Sequence, residues 1–575
     1  MPPPPPSTPS RSSRPRSTSP RRYRSTSTDR PGQTSSAAST PRAPRFGRAA
    51  VAGVFVAGLG LRLWGINFGL PALYRPDEDV TVGRAMGILH GIVDPHFADW
   101  PHLYFYLAAA WLAPFRLLGL VSDQASGDLG VRILDAILGS LTVLVVFQFG
   151  RRAYGWLAGF LTAAALAVAF LHVRDSHFGT LDIPLTLAIT VGLYVAYRTL
   201  TMRGAPPLVM NGLTLGIAAS LKYNGAFVFA GMAAAQLLRT RAERSTWLTL
   251  VARLVLIAVV GVATLAVTSP FLVIDPAVTQ RGVGYIFQHL ATPSTPAIGW
   301  GELATGLWYG IDPVLVLVGV IGIGYAALRR QPADWVLLAF LVSYFLVIGA
   351  GGSVFFRYAD PMIPPLLLLG GRALADLVRY AVSPAFRYAV LAGVLVLILT
   401  PPLVHDLRYD LLIQQTDTRT LAYDWLAQHV PAGAGAAVPY KAGPAHDRAM
   451  VASGKYSHGA ADAYVAAFLE GRLETQYPIR ELTRDDLKLT SLDSFRAQGI
   501  RYIVVGYETP GTGCRPDSPL ERTLLAQGSP VASFSPTAGC PISVFDPIDT
   551  YYVPLAGYAG WVRPGPPIRI YRLNY

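Results

Sequence analysis

Residues 49–79 read AAVAGVFVAGLGLRLWGINFGLPALYRPDED, an apolar run from Ala49 to Ile66 followed closely by three consecutive carboxylates, Asp77, Glu78 and Asp79. A run of this length and composition predicts a helix able to enter a bilayer. Anchoring that helix requires no acids. A charge near bilayer depth costs ~2.5–3.5 kcal/mol on insertion scales, so acids at a membrane exit are expected to face water, a partner or a substrate. The ordinary alternative is a helix start, with an aspartate as cap and its neighbours favouring the positive end of the dipole.

The rest of the 575-residue chain agrees with a membrane setting: 52% of it is hydrophobic and only 14% charged, too apolar and too poor in charge for a soluble enzyme. The expected class is a mainly α, polytopic helical membrane protein in the plasma membrane. The formal net charge of +13 is concentrated at the start, where residues 1–48 hold ten arginines against the single Asp29, a balance of +9. That stretch is dominated by Pro, Ser, Thr and Arg, cannot bury enough apolar surface to order itself, and is expected to be a disordered cytoplasmic tail that orients the protein against the lipid bilayer. No aromatic or base-reading pattern accompanies the arginines, so nucleic acid is not an expected partner.

Apolar runs of helical length recur at about 49–66, 102–120, 131–150, 154–172, 180–199, 208–221, 223–238, 248–269, 310–328, 334–349, 361–379 and 387–403. With the basic tail inside, the clusters at Arg151-Arg152, Arg198/Arg203, Arg239/Arg241/Arg244, Arg329-Arg330 and Arg372/Arg379/Arg387 all fall on the cytoplasmic side if run 102–120 does not cross. The expected layout is eleven spans within 49–405, a first outer loop at 67–130, and an extracytoplasmic α/β domain at 406–575. Thr418–Val430 has helical spacing, and Ile500–Val505 and Ile568–Leu573 read as strands. The two cysteines, Cys514 and Cys540, fall in this last part and are disulfide candidates on an oxidising side.

On that topology the polar residues hardest to explain as scaffold collect on the outer side. They are the triplet, then Asp94, His96, Asp99 and His102; Arg132; His172, Arg174, Asp175, His177 and Asp182; Lys222-Tyr223-Asn224; and Arg357-Tyr358 with Asp360. Carboxylates beside cations in a half-dry cleft suit a transfer in which one carboxylate deprotonates an acceptor hydroxyl while cations neutralise a departing phosphate. Pairing of Arg132 with Asp135 and of Arg357 with Asp360, or a lysine reaching the interface at Lys222, are the structural alternatives.

The order of basic tail, first span, Pro-Asp-Glu loop and Trp100-Pro101-His102-Leu103-Tyr104-Phe105-Tyr106 resembles the GT-C superfamily of integral-membrane glycosyltransferases, in the bacterial branch related to protein O-mannosyltransferases and lipid A aminoarabinose transferases. HFGTLDIPLT at 177–186, GIAASLKYN at 216–224, TSPF at 268–271 and RYADPMIP at 357–364 extend the resemblance over about 49–405. It implies a polyprenyl-phosphate sugar donor, an acceptor outside the membrane and inversion at the anomeric carbon. It makes Asp77 the base and Glu78 its orienting neighbour. Arg132, Lys222, Tyr223, Arg357 and Tyr358 fall to the donor phosphate or sugar, with Arg132 and Arg357 alternatively bracing the acidic loop. Asp79, His102, His177 and Asp182 line the cleft, although Asp79 also reads as a plain first-turn acid. His102 departs from the aminoarabinose-transferase pattern, which weakens a lipid A acceptor; glycan, lipid and protein acceptors stay open. A mannose-like sugar leads, with an arabinose-type pentose as the alternative, and a divalent ion at the triplet is an open cofactor. A transporter would place its ions near mid-span with internal repeats, which this chain does not show.

Overall fold

The computed structural model describes residues 47–72, 74–202, 204–292, 299–381, 383–439, 479–483, 485–506, 518–549 and 551–575. The expected disordered tail, apart from Gly47 and Arg48, lies outside the described residues, as does Cys514. Cys540 is disulfide-bonded.

The first apolar run forms α1 (Gly47–Leu63). The loop that follows carries α2 (Glu78–Leu89) and α3 (Leu103–Leu117). At 15 residues α3 is about 23 Å long, short of a hydrocarbon core of about 30 Å. Next come α4 (Gln124–Ala153), α5 (Trp156–Ala167), α6 (Phe170–Asp175), α7 (Asp182–Arg198), α8 (Pro206–Leu221), α9 (Val228–Ala242) and α10 (Trp247–Thr268). Asp123 and Ser126 begin α4 with reciprocal capping bonds, which satisfy donors that the first turn leaves unpaired. On α10 only Ile257 and Gly261 are buried, so this apolar helix has lipid as its surroundings. It lies tightly on α8 because Gly212 and Gly216 present bare backbone: a Cβ at either would come within 2.4 Å of Val260 or Thr264. This is the small-residue spacing by which membrane helices approach closely.

The short α11 (Phe271–Ile274) and α12 (Pro276–Ala291) precede α13 (Gly299–Gly310), α14 (Pro313–Arg329), α15 (Pro332–Gly349), α16 (Ile363–Arg379) and α17 (Pro384–Ile413). Among the described residues, five helical segments are long and apolar enough to cross a membrane: Gln124–Ala153, Trp247–Thr268, Pro332–Gly349, Phe356–Arg379 and Pro384–His429. The bent pair α13 and α14, at 117°, makes six if counted as one span. The expected eleven exceeds this because α5, α7, α8 and α9 have only 12 to 17 residues; eleven therefore stays a topology proposal.

After α18 (Thr418–His429) a five-stranded sheet forms from β1 (Gly435–Pro439), β2 (Ile479–Leu482), β3 (Ile500–Gly506), β4 (Gly528–Phe534) and β5 (Ile568–Leu573), in the order β2-β1-β3-β5-β4. β1 pairs in parallel with β2 and β3, whereas β5 is antiparallel to β3 and β4. Alternation along β3 sends Ile503 and Val505 to one face, with Leu520 and Leu524, and Tyr502 and Val504 to the other, with Ala422 and Leu426 of α18. Both faces are thus covered, as a sheet with parallel pairing requires.

A boundary at 406 does not follow the packing. α17 continues through Pro401-Pro402 to Ile413 and buries Asp406, Tyr409 and Asp410. Tyr551, Val553 and Leu555 belong to the same apolar core as α4, α5 and α16.

Candidate active site

The three acids of the triplet are treated differently. Asp77 occupies the cap position of α2 with φ 74° and makes no capping hydrogen bond. Left-handed backbone is uncommon outside glycine, and aspartate is among the residues that tolerate it. Its side chain, 30% exposed, instead meets Arg357, whose Nη2 donates to Oδ2 at 2.7 Å. The capping alternative is therefore not what Asp77 does.

Glu78 is fully buried. Arg132 donates from Nε to Oε1 at 2.8 Å and from Nη2 to Oε2 at 2.7 Å, and the Gly179 amide donates to Oε1 at 2.8 Å. Arg132 is itself buried and spends Nη1 on the carbonyls of Ile66 and Phe68, each at 2.9 Å, with its guanidinium over the Phe68 ring. Glu78 is thus taken up by Arg132 and a backbone amide, and four of the five N–H groups of the buried Arg132 are used inside the protein, because the bidentate pair locks the acidic loop to α4. Of its two expected roles, Arg132 takes the bracing one. Asp135 does not pair with it, accepting instead from Tyr104 and from the Thr180 amide. Asp79 is half-buried in the first turn of α2, where an acid favours the dipole.

Asp182 starts α7 and accepts from Lys222 Nζ at 2.8 Å. Arg357 Nε lies 3.8 Å from its other oxygen, so Arg357 bridges Asp77 and Asp182. Lys222 sits at the extended end of α8, over the Tyr358 ring at 4.6 Å. Asp77, Asp182, Lys222, Arg357 and Tyr358 are thereby gathered from four separate segments. Tyr223 is turned elsewhere, donating to the Ala98 carbonyl at 2.9 Å and tying the end of α8 to the first outer loop.

Neither histidine lines the cluster. His102 is 1% exposed, with Nε2 2.7 Å from the Phe97 carbonyl and its amide bonded to Ser269 Oγ at 3.0 Å. Burial, only partly offset by that carbonyl, holds its pKa below the usual imidazole value. His177 is buried with its two ring nitrogens 2.9 Å from the carbonyls of Val173 and Trp64. Both fix backbone.

Two acids absent from the sequence reading border the cluster. Asp549 accepts from Arg75 and lies 3.8 Å from Arg174 Nη2, and Asp546 accepts from the Phe356 amide at 2.7 Å. Burial raises the Asp549 pKa, but Arg75, Arg357 and Arg174 outweigh it and hold the carboxyl down at about 2. Burial, then the charge of Asp549, pushes Asp546 up to about 6. An Asp-Pro turn at 546–547, far along the chain from 77–79, carries no local sign of this role.

Among the described residues the gathered metal-ligating side chains are Asp94, His96 and Asp275, with ligand atoms within 4.8 Å of one another. Two carboxylates and an imidazole are donors that a divalent ion accepts. Among the described residues the acidic triplet does not form such a group.

Residues 107–274 match the family model of dolichyl-phosphate-mannose-protein mannosyltransferases. The structure superposes on the oligosaccharyltransferase of Archaeoglobus fulgidus in its apo form with a TM-score of 0.50, at 14% identity, over 81% of this chain and 70% of that one. The chain has the GT-C fold. The chain is also similar to ArnT from Cupriavidus metallidurans, solved with undecaprenyl phosphate, at a TM-score of 0.49 and 17% identity, covering 80% of this chain and 94% of that one. An uncharacterized protein of Aquifex aeolicus is 23% identical over 148 residues, which span 25% of this chain and 28% of that protein. The family-model match takes in Arg132, Asp182 and Lys222 but not Asp77 or Arg357, whose place in the cluster rests on the structure.

Proposed function

We propose that this chain is a glycosyltransferase that moves a sugar, mannose-like first and pentose as the alternative, from a polyprenyl-phosphate donor to an acceptor hydroxyl outside the membrane. The observation that carries this reading is Asp77. It is a partly exposed carboxylate held through Oδ2 alone by Arg357, with Lys222 next to it on Asp182. The name of the matching family supplies the donor class.

In the proposed step Asp77 accepts the proton of the acceptor hydroxyl as that oxygen bonds to the anomeric carbon. The bond from that carbon to the phosphate oxygen breaks, and its electron pair leaves on polyprenyl phosphate. Attack opposite the leaving group inverts the centre. General-base help is worth about 10²–10⁴-fold. Arg357 and Lys222 are the cations near enough to neutralise the departing phosphate, and because each holds a carboxylate they are fixed before the charge develops. Tyr358 backs Lys222. The test is transfer from a panel of labelled polyprenyl-phosphate sugars by the purified protein; no transfer from any donor, with the protein folded, would reject the reading.

A further inference from the structure

Between β4 and β5 the chain leaves the sheet and enters the core of the membrane part. Asp546 sets the entry: Oδ1 accepts the amides of Ile548 at 3.0 Å and Asp549 at 3.2 Å, a tight turn that presents the Asp549 carboxylate. Beyond it, Tyr551 wedges edge-on between Phe68 at 6.0 Å and Phe178 at 5.1 Å, and its hydroxyl meets that of Tyr409 at 3.0 Å. Val553 and Leu555 are buried, and His405 Nε2 lies 2.7 Å from the Leu555 carbonyl. The segment is therefore anchored at Asp546, Asp549 and residues 551–555, all buried, and a buried acid at such a place needs a partner.

The partners that Asp549 and Asp546 find flank the Asp77–Arg357 pair. Arg75, bonded to Asp549, is two residues before Asp77 with only Pro76 between them. The Phe356 amide, bonded to Asp546, belongs to the residue directly before Arg357. Arg75 and Arg174 also lie over the Tyr551 ring at 5.5 and 5.4 Å, so the same segment receives the cations on an aromatic face. Two loops 280 positions apart are thus held in register by one short piece of chain.

We propose that Asp546 and Asp549 are positioning residues of the site: the 546–555 segment clamps the Arg75–Asp77 loop to the Phe356–Arg357 turn, so the C-terminal part completes the catalytic cluster. Its activity readout rests on the transferase reading above, whereas its structural readout does not. The test compares full-length wild type, Asp549→Asn and Asp546→Asn in lipid nanodiscs, with Arg522→Gln at an exposed helix position as control. Losing a charged hydrogen bond should speed amide exchange about ten- to hundredfold in peptides covering 74–80 and 354–360, with α4 and β3 unchanged and the control like wild type. Turnover should fall about 10²-fold through kcat, with the donor KM within about twofold of wild type, and Asp549→Glu should restore part of it. If Asp549→Asn exchanges fast everywhere, Asp546→Asn decides, since it loses hydrogen bonds only to backbone amides. Wild-type exchange in both loops, or faster exchange there with unchanged kcat, would overturn the proposal. A wild type inactive on every donor would reject the transferase reading and leave the exchange result to judge the clamp.

Discussion

At the scale of single residues, adjacent acids in one triplet have opposite consequences. Asp77 is part-exposed and paired with Arg357, which is buried but also lies 3.8 Å from Asp182, so losing the Asp77 charge leaves the guanidinium one carboxylate and costs less than the about 3–5 kcal/mol of breaking a fully buried pair. Asp77→Asn should therefore lower thermal unfolding in detergent less than Glu78→Gln does, while cutting transfer about 10²-fold or more. Glu78→Gln leaves Arg132 buried with half of its bidentate partner, and breaking a buried pair costs about 3–5 kcal/mol, so that variant should lose stability first. A Glu78→Gln protein as stable as wild type yet inactive would put Glu78 back into the chemistry. That 77–79 is more than a helix start was legible, because three acids follow an apolar run there. Which acid does what was not, since the partners of Asp77 and Glu78 come from 280 and 54 positions away and no local pattern encodes that choice.

Elements show a second contrast. Helical spacing and alternation were enough to place α18, β3 and β5, because each buries one periodic face. Gly212 and Gly216 were part of a readable apolar run, but their role is visible only once α10 lies on them. Gly216→Val should weaken the α8–α10 contact by about 1–3 kcal/mol, since a Cβ there would sit 2.4 Å from Thr264 and 2.5 Å from the Gly261 carbonyl; detergent unfolding midpoints measure it, and an unchanged midpoint would deny the close approach. The 546–549 turn predicts a pH profile. Asp549, held at about 2, contributes stability that is present above its unfolded value of about 3.9 and is lost as pH falls from there towards 2. Asp546, pushed to about 6, binds more protons folded than unfolded between about pH 4 and 6, so stability falls as pH rises through that window. Unfolding midpoints measured from pH 3 to 8 should therefore decline between about 4 and 6 in wild type. Asp546→Asn should make that decline smaller; a decline of the same size in the variant would contradict the assignment.

For the whole molecule, charge patterning and apolar runs carried the fold class, and the GT-C fold agrees with them. Span number was harder to read because a broken pair such as α5 and α6 presents one apolar run but two short helices. If α3 lies in an outer loop, as the eleven-span proposal has it, reporter fusions after residue 125 report the outside and those after 152 the cytoplasm; a cytoplasmic signal at 125 would reverse every later loop and put the cluster on the wrong face for an external acceptor. What remained out of reach of sequence was the return of the 546–555 segment to the site. The central claim is that Asp77 is the base of a sugar transfer from a polyprenyl-phosphate donor. Its most direct test is turnover of the purified protein with labelled polyprenyl-phosphate sugars, comparing wild type with Asp77→Asn at matched folded content. The prediction is transfer from at least one donor by wild type and a loss of about 10²-fold or more in the variant; equal turnover by the two proteins would contradict it.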